Sequence, residues 1–236
     1  MNIPPEGIVQ NINRIRENIE NICRRIGRDP LEIELMGVSK FHPLEKVEEA
    51  WRGGLRLFGE SRVQEAAAKF SGFREAHAGA EIHLIGSLQR NKARAALSLF
   101  DCIQSVDRES LIEELGALTA GREKPLMILL EYHTGEESKA GFADEDALCR
   151  AAEKALSYPG LRPLGLMTMA PFSTDAAMVR AAFRAASAAL GKLKGRFPGA
   201  PWSCLSMGMS GDYEIALEEG STLVRIGTAI FGERNT

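Results

Sequence analysis

Short apolar runs alternate with longer amphipathic stretches along almost the whole chain, the pattern of repeated strand–helix units. Eight runs read as strands: residues 33–39, 57–59, 83–85, 102–104, 127–131, 163–167, 204–206 and 223–226. The second and third, Leu57-Phe58-Gly59 and His83-Leu84-Ile85, are only three residues long and carry the weakest pattern. Between the runs, residues 43–53, 61–70, 89–99, 107–120, 143–156 and 175–194 place apolar side chains at three-to-four spacing, which predicts helices with one buried face. A further helix over residues 7–26 precedes the first strand, and another is expected to begin near Ser210.

Strict alternation of eight strands with helices predicts an α/β fold, a closed parallel (β/α)8 TIM barrel with an additional N-terminal helix. An open doubly wound sheet of six strands is the alternative. At 236 residues and 25.7 kDa the chain falls within the range of one such barrel. No Pro/Gly/Ser-rich linker divides it, so residues 1–236 are expected to form a single domain. Residues 133–140 read as a polar loop after the fifth strand.

Composition narrows the partners. Apolar residues make up 44% and charged residues 26%, with a formal net charge of -3, so nothing favours binding to nucleic acid. The longest apolar run covers residues 125–130, far short of the roughly 20 residues that span a bilayer. The first twenty residues lack the apolar centre of a secretion signal, so a cytoplasmic protein is expected. Cys23, Cys102, Cys149 and Cys204 are too scattered for a zinc or redox motif, and reduced, mostly buried thiols are expected, with no metal.

Candidate chemistry lies at the strand ends. Leu205-Ser206-Met207-Gly208-Met209-Ser210-Gly211-Asp212 and Val224-Arg225-Ile226-Gly227-Thr228 read as two consecutive strand-to-loop junctions. Small residues there let backbone N–H groups approach a phosphate, and hydroxyls add donors. In a barrel of this kind the loops after the seventh and eighth strands commonly grip phosphate. Lys40 closes the first apolar run and should point into the mouth of the barrel, where partial desolvation lowers its pKa and exposes the neutral amine that attacks carbonyls. A phosphate-bearing aldehyde opposite that amine would form a Schiff base, and pyridoxal 5'-phosphate (PLP) is the common cofactor of that description. Arg225 should also face the mouth, either as a phosphate ligand or at the pyridine nitrogen. In the second place its permanent charge disfavours protonation of that nitrogen, which argues against carbanion chemistry.

Set side by side, these segments resemble the PLP homeostasis proteins. The resemblance runs nearly end to end, through Gly37-Val38-Ser39-Lys40, residues 58–65, residues 83–92, Gly165-Leu166-Met167-Thr168-Met169, residues 205–210 and residues 224–232. It implies a barrel related to the N-terminal domain of alanine racemase, with the cofactor aldehyde linked to Lys40. It further implies that Ser210, Gly227 and Thr228 hold the phosphate, Ser206 shapes that loop, Arg225 approaches the ring nitrogen, and Ile85 and Met167 pack near the ring. Two positions depart from the family pattern: Ser61 stands where asparagine is usual, and Tyr132-His133-Thr134 where a valine and an asparagine are frequent.

A carrier without its own catalysis is therefore expected, buffering PLP and handing it transiently to apoenzymes, as a monomer rather than an oligomer. The alternative is a small single-domain racemase. Racemisation needs bases on both faces of the substrate α-carbon, and Lys40 serves one. In the racemase relatives the second is a tyrosine from a further domain, which is expected to be missing here. Of Tyr132, Tyr158 and Tyr213, only Tyr132 is expected near the mouth.

Overall fold

Successive residues of a strand face opposite sides, so each strand of a barrel offers one set to the axis and the other to the helices. In the computed structural model, which describes residues 7–135 and 141–233, eight parallel strands close in chain order. They are β1 (Glu34–Val38), β2 (Leu57–Glu60), β3 (Glu81–Leu84), β4 (Cys102–Val106), β5 (Leu126–Glu131), β6 (Leu161–Met167), β7 (Cys204–Ser206) and β8 (Leu223–Ile226). Met36 of β1 lies opposite Leu57 on one side and Arg225 on the other, which closes the ring. Inside it, Met36, Val38, Leu57 and Leu223 form one buried cluster and Cys102, Leu129 and Met167 another. The intervening positions, such as Phe58, Ile82, Ile103 and Val224, join the larger core beneath the helices.

Those helices are α1 (Ile8–Ile26), α2 (Leu44–Arg52), α3 (Val63–Phe70), α4 (Phe73–Ala76), α5 (Ala93–Leu99), α6 (Glu109–Leu118), α7 (Glu145–Leu156), α8 (Ala176–Arg196), α9 (Tyr213–Glu218) and α10 (Thr228–Phe231). Along α1, Ile8, Ile12, Ile15, Ile19 and Ile22 recur with the helical period and are buried against α2, α9 and α10. Burial of each isoleucine contributes roughly 1.5–3 kcal/mol of gross stabilisation. Arg16 adds polar anchors to the carbonyls of Gly53 (3.0 Å) and Gly54 (2.8 Å), and Asn11 Nδ2 donates to Ile230 O at 3.0 Å. The N-terminal helix thus staples the first strand–helix unit to the last.

Three local differences from the expected elements have physical causes. Gly72 interrupts the stretch after α3, and the short α4 follows so that Phe73 can meet Phe58 and Phe70 edge-on, with centroids 5.7 and 5.4 Å away. The helix after β7 starts at Tyr213 rather than near Ser210, because Met209 O accepts from both Asp212 N and Tyr213 N and closes a turn first. Immediately after β8, Thr228 opens a helical turn, α10, that was not anticipated. Residues 136–140 of the expected polar loop lie outside the described residues. No helix among the described residues is long and apolar enough to cross a membrane.

Candidate cofactor site

At the carboxyl ends of the strands lies a cavity of about 230 Å³. Lys40, Ile85, Met167, Ser210, Arg225, Gly227 and Thr228 all line it, so seven of the expected site residues meet in one place. Val38, Met169, Met209 and Gly211 complete the wall. None of these four was expected by name as a contact, although Met209 and Gly211 lie in the junction read as phosphate-holding and Met169 follows Met167 at the two-residue spacing that returns a side chain to the same face. No carboxylate lines the cavity among the described residues, while a lysine, an arginine and two hydroxyls do. Such a donor set favours an anionic ligand.

Lys40 sits two residues past β1 in a turn closed by His42 N donating to Ser39 O at 3.0 Å. Its successor, Phe41, has φ of +65°, a left-handed conformation that costs a non-glycine residue about 1 kcal/mol or more. A buried clamp holds the turn. Ser39 Oγ donates to Glu60 Oε1 at 2.7 Å, and Lys69 Nζ donates to both Glu60 Oε1 and Ser39 O at 2.8 Å. Burial pushes the Glu60 carboxyl above its ordinary value, and Lys69 and Ser39 offset part of the shift.

On the opposite side, the loop after β7 is tied to β8 by Arg225 N donating to Gly208 O at 2.9 Å. Gly208 has φ of +94°, and a Cβ there would stand 2.6 Å from Ala216 Cβ and 2.9 Å from Tyr213 Cα, so only glycine fits. Asp212 Oδ1 accepts from Met209 N, and burial pushes this carboxyl up. Ser210 Oγ accepts from Ala229 N at 3.3 Å, which places the serine beside the start of α10. A Cβ at Gly227 would meet nothing closer than Val38 at 3.6 Å, leaving the backbone open towards the cavity.

Arg225 is only 4% exposed. Its Nη1 donates to Ser206 Oγ and its Nη2 to Thr168 O, each at 2.8 Å. Ser206 itself is fully buried and is not among the residues on the cavity wall. At the end of β7, its hydroxyl accepts from Arg225 and donates to Gln104. None of the three tyrosines lines the cavity. Tyr132 forms an isolated bridge with Phe142, Tyr158 lies against Gly116 between α6 and α7, and Tyr213 accepts from Asn18 Nδ2 at 2.6 Å.

A closed barrel with a lysine after β1 and glycine- and hydroxyl-bearing loops after β7 and β8 defines a class, and residues 10–235 match the family described as alanine racemase, N-terminal domain. The chain is 39% identical over 231 residues to the pyridoxal phosphate homeostasis protein of Vibrio cholerae, covering 97% of each, and 40% identical over 233 residues to that of Escherichia coli, again 97% of each. It belongs to the family of pyridoxal phosphate homeostasis proteins. Among solved structures, PipY of Synechococcus elongatus with PLP bound is similar with a TM-score of 0.84 and 33% identity, over 96% of this chain and 100% of that one. Alanine racemase from Bacillus anthracis shares the fold alone, at 18% identity and a TM-score of 0.68, with this chain covering 57% of its length.

Proposed function

We propose that this chain holds PLP reversibly through Lys40, as one binding domain, and acts in PLP homeostasis without its own catalysis. The observation that carries the reading is the cavity in which one lysine faces a hydroxyl- and glycine-lined anion site with no carboxylate on its wall. When bound, the cofactor supplies an aldehyde that condenses reversibly with an amine. Lys40 provides that amine, and its clamped turn aims it into the cavity. Ser210, Gly227 and Thr228 take the phosphate by hydroxyl and backbone donors, and Ile85 and Met167 flank the ring. Arg225 faces the ring nitrogen, where a fixed positive charge keeps that nitrogen unprotonated and withholds the electron sink a carbanion would need. Ser206 acts through Arg225.

The relatives' names support the homeostasis role, as does PipY with PLP bound. The racemase reading is disfavoured because no tyrosine reaches the cavity to oppose Lys40. We place the protein in the cytoplasm as a monomer that meets PLP-dependent apoenzymes transiently, with no nucleic-acid or membrane partner.

The test is an absorbance spectrum of the purified protein with added PLP, followed by borohydride reduction and mass spectrometry of the adduct. A visible band that borohydride bleaches while leaving a reduced adduct on Lys40, and that Lys40→Ala abolishes, is the expected result. An adduct elsewhere, or none, overturns the assignment.

A further inference from the structure

Beneath the cavity, four buried polar side chains form a continuous line through the barrel interior. Arg225 Nη1 donates to Ser206 Oγ at 2.8 Å, Ser206 Oγ donates to Gln104 Oε1 at 2.7 Å, and Gln104 Nε2 lies 2.9 Å from His83 Nδ1. Gln104 and Ser206 have no exposed surface, and Arg225 and His83 are 4% and 6% exposed. His83 lies at the opposite mouth of the barrel, on a separate cavity bordered by Glu34 and Glu81 at the starts of β1 and β3.

The polarity of this line is fixed from the arginine end. A guanidinium only donates, so Ser206 must accept from it and direct its own hydrogen to Gln104 Oε1. Gln104 then presents its NH2 to His83, and the network assigns the imidazole tautomer: Nδ1 accepts, and the hydrogen resides on Nε2, 3.5 Å from the Glu81 carboxylate. Reversing the amide would turn an N–H towards a serine oxygen that already receives one, and the serine hydrogen would lose its acceptor. The arginine end thus sets the sense of the amide, and an acceptor at His83 Nδ1 holds it there by satisfying the NH2.

We infer that Gln104 is a positioning residue for Arg225, and that His83, from the far mouth of the barrel, fixes the Gln104 amide in the orientation Arg225 requires. The donor edge offered to a bound pyridine nitrogen is thus set by a side chain that touches neither the ligand nor the cavity wall. This rests on the PLP reading above and goes beyond it by tying the ring-side contact to β3 and β4.

An asparagine at position 83 offers Oδ1 where the imidazole offers Nδ1, whereas leucine offers no acceptor, so the two variants separate orientation from mere filling of space. The test uses the full chain loaded with PLP, wild type beside His83→Leu, His83→Asn and Gln104→Leu. The PLP dissociation constant is read by equilibrium dialysis, and the absorbance band is followed from about pH 6 to about pH 9. His83→Leu and Gln104→Leu are expected to shift the pH midpoint of the band and to weaken PLP about tenfold, the scale of one lost charge-assisted hydrogen bond. His83→Asn is expected to restore both to wild type. A His83→Leu protein with an unchanged pH profile and an affinity within about twofold of wild type overturns the inference, as does a His83→Asn protein that behaves like His83→Leu. Should Gln104→Leu fail to fold, the two His83 variants still decide. Borohydride adducts are read in the same wild-type samples: a Lys40 adduct with no effect of His83→Leu defeats only this inference, and no adduct defeats it together with the PLP assignment.

Discussion

Lys69 Nζ of α3 stands 2.8 Å from Glu60 Oε1 of β2, with the two side chains 7% and 0% exposed. The same ammonium donates to the carbonyl of Ser39, the residue before Lys40. A buried ion pair behind the turn therefore fixes where Lys40 emerges. It also accounts for the motif Phe58-Gly59-Glu60-Ser61-Arg62-Val63-Gln64-Glu65, which places Glu60 at a strand end and Glu65 one helical turn before Lys69.

Breaking such a pair leaves a charge buried without a partner. Lys69→Met is expected to lower stability by about 3–5 kcal/mol at neutral pH, measured by urea denaturation. Removing both charges in Lys69→Met/Glu60→Gln should recover most of that loss, because the uncompensated carboxylate is gone. If the double variant is as unstable as the single one, packing of the lysine stem rather than charge governs the seam.

The Glu60 carboxyl also sets a pH trend. Burial raises its folded value above the ordinary 4.5, so between the two values the folded state holds the extra proton. Stability from this group is therefore greatest below that window and falls as pH rises through it. Relative to Glu60→Gln, the wild type should lose stability on going from about pH 4 to about pH 7, read as diverging urea midpoints. Parallel midpoints across that range would show that the carboxyl is not perturbed.

The expectation of eight strands survived although four of the runs were only three residues long, because parallel barrel strands need few residues when helices cover them. Seven cavity-lining positions were legible for the same reason: each sits at a strand end or in the loop that follows one, where topology aims it at the mouth. What escaped were features decided by tertiary pairing. Gln104 reads as one polar residue in a short strand until Ser206 and His83 are brought beside it. Nor does local sequence distinguish a helix beginning at Ser210 from one delayed to Tyr213, since the Met209 carbonyl that decides it is saturated only in the folded loop.

Thiol chemistry follows from the barrel interior. Burial pushes Cys204 up to about 12 and Cys102 well above its ordinary value, and burial also raises Cys23. The thiolate is the reactive form. In native protein at about pH 8 these three should resist iodoacetamide, Cys204 through its raised pKa although it is half-buried like Cys149, while Cys149 is alkylated first. All four should react in denaturant. Peptide mass mapping that finds Cys102 or Cys204 modified early in native protein would contradict the burial of the barrel interior.

Thr228 separates the phosphate from the ring as sources of affinity. Ser210 and Thr228 border the cavity where the loops after β7 and β8 meet, and in the proposed PLP site Lys40 and Arg225 would address the other end of the ligand. If the hydroxyl contacts phosphate, Thr228→Val should weaken PLP by roughly 1–3 kcal/mol, the cost of leaving a buried anionic acceptor unpaired. Pyridoxal, which has the aldehyde and the ring but no phosphate, should bind both proteins equally. Isothermal titration of the two ligands against wild type and Thr228→Val measures the difference directly. Equal losses for pyridoxal and PLP would move Thr228 from the phosphate to the ring, because only a contact common to both ligands weakens them alike.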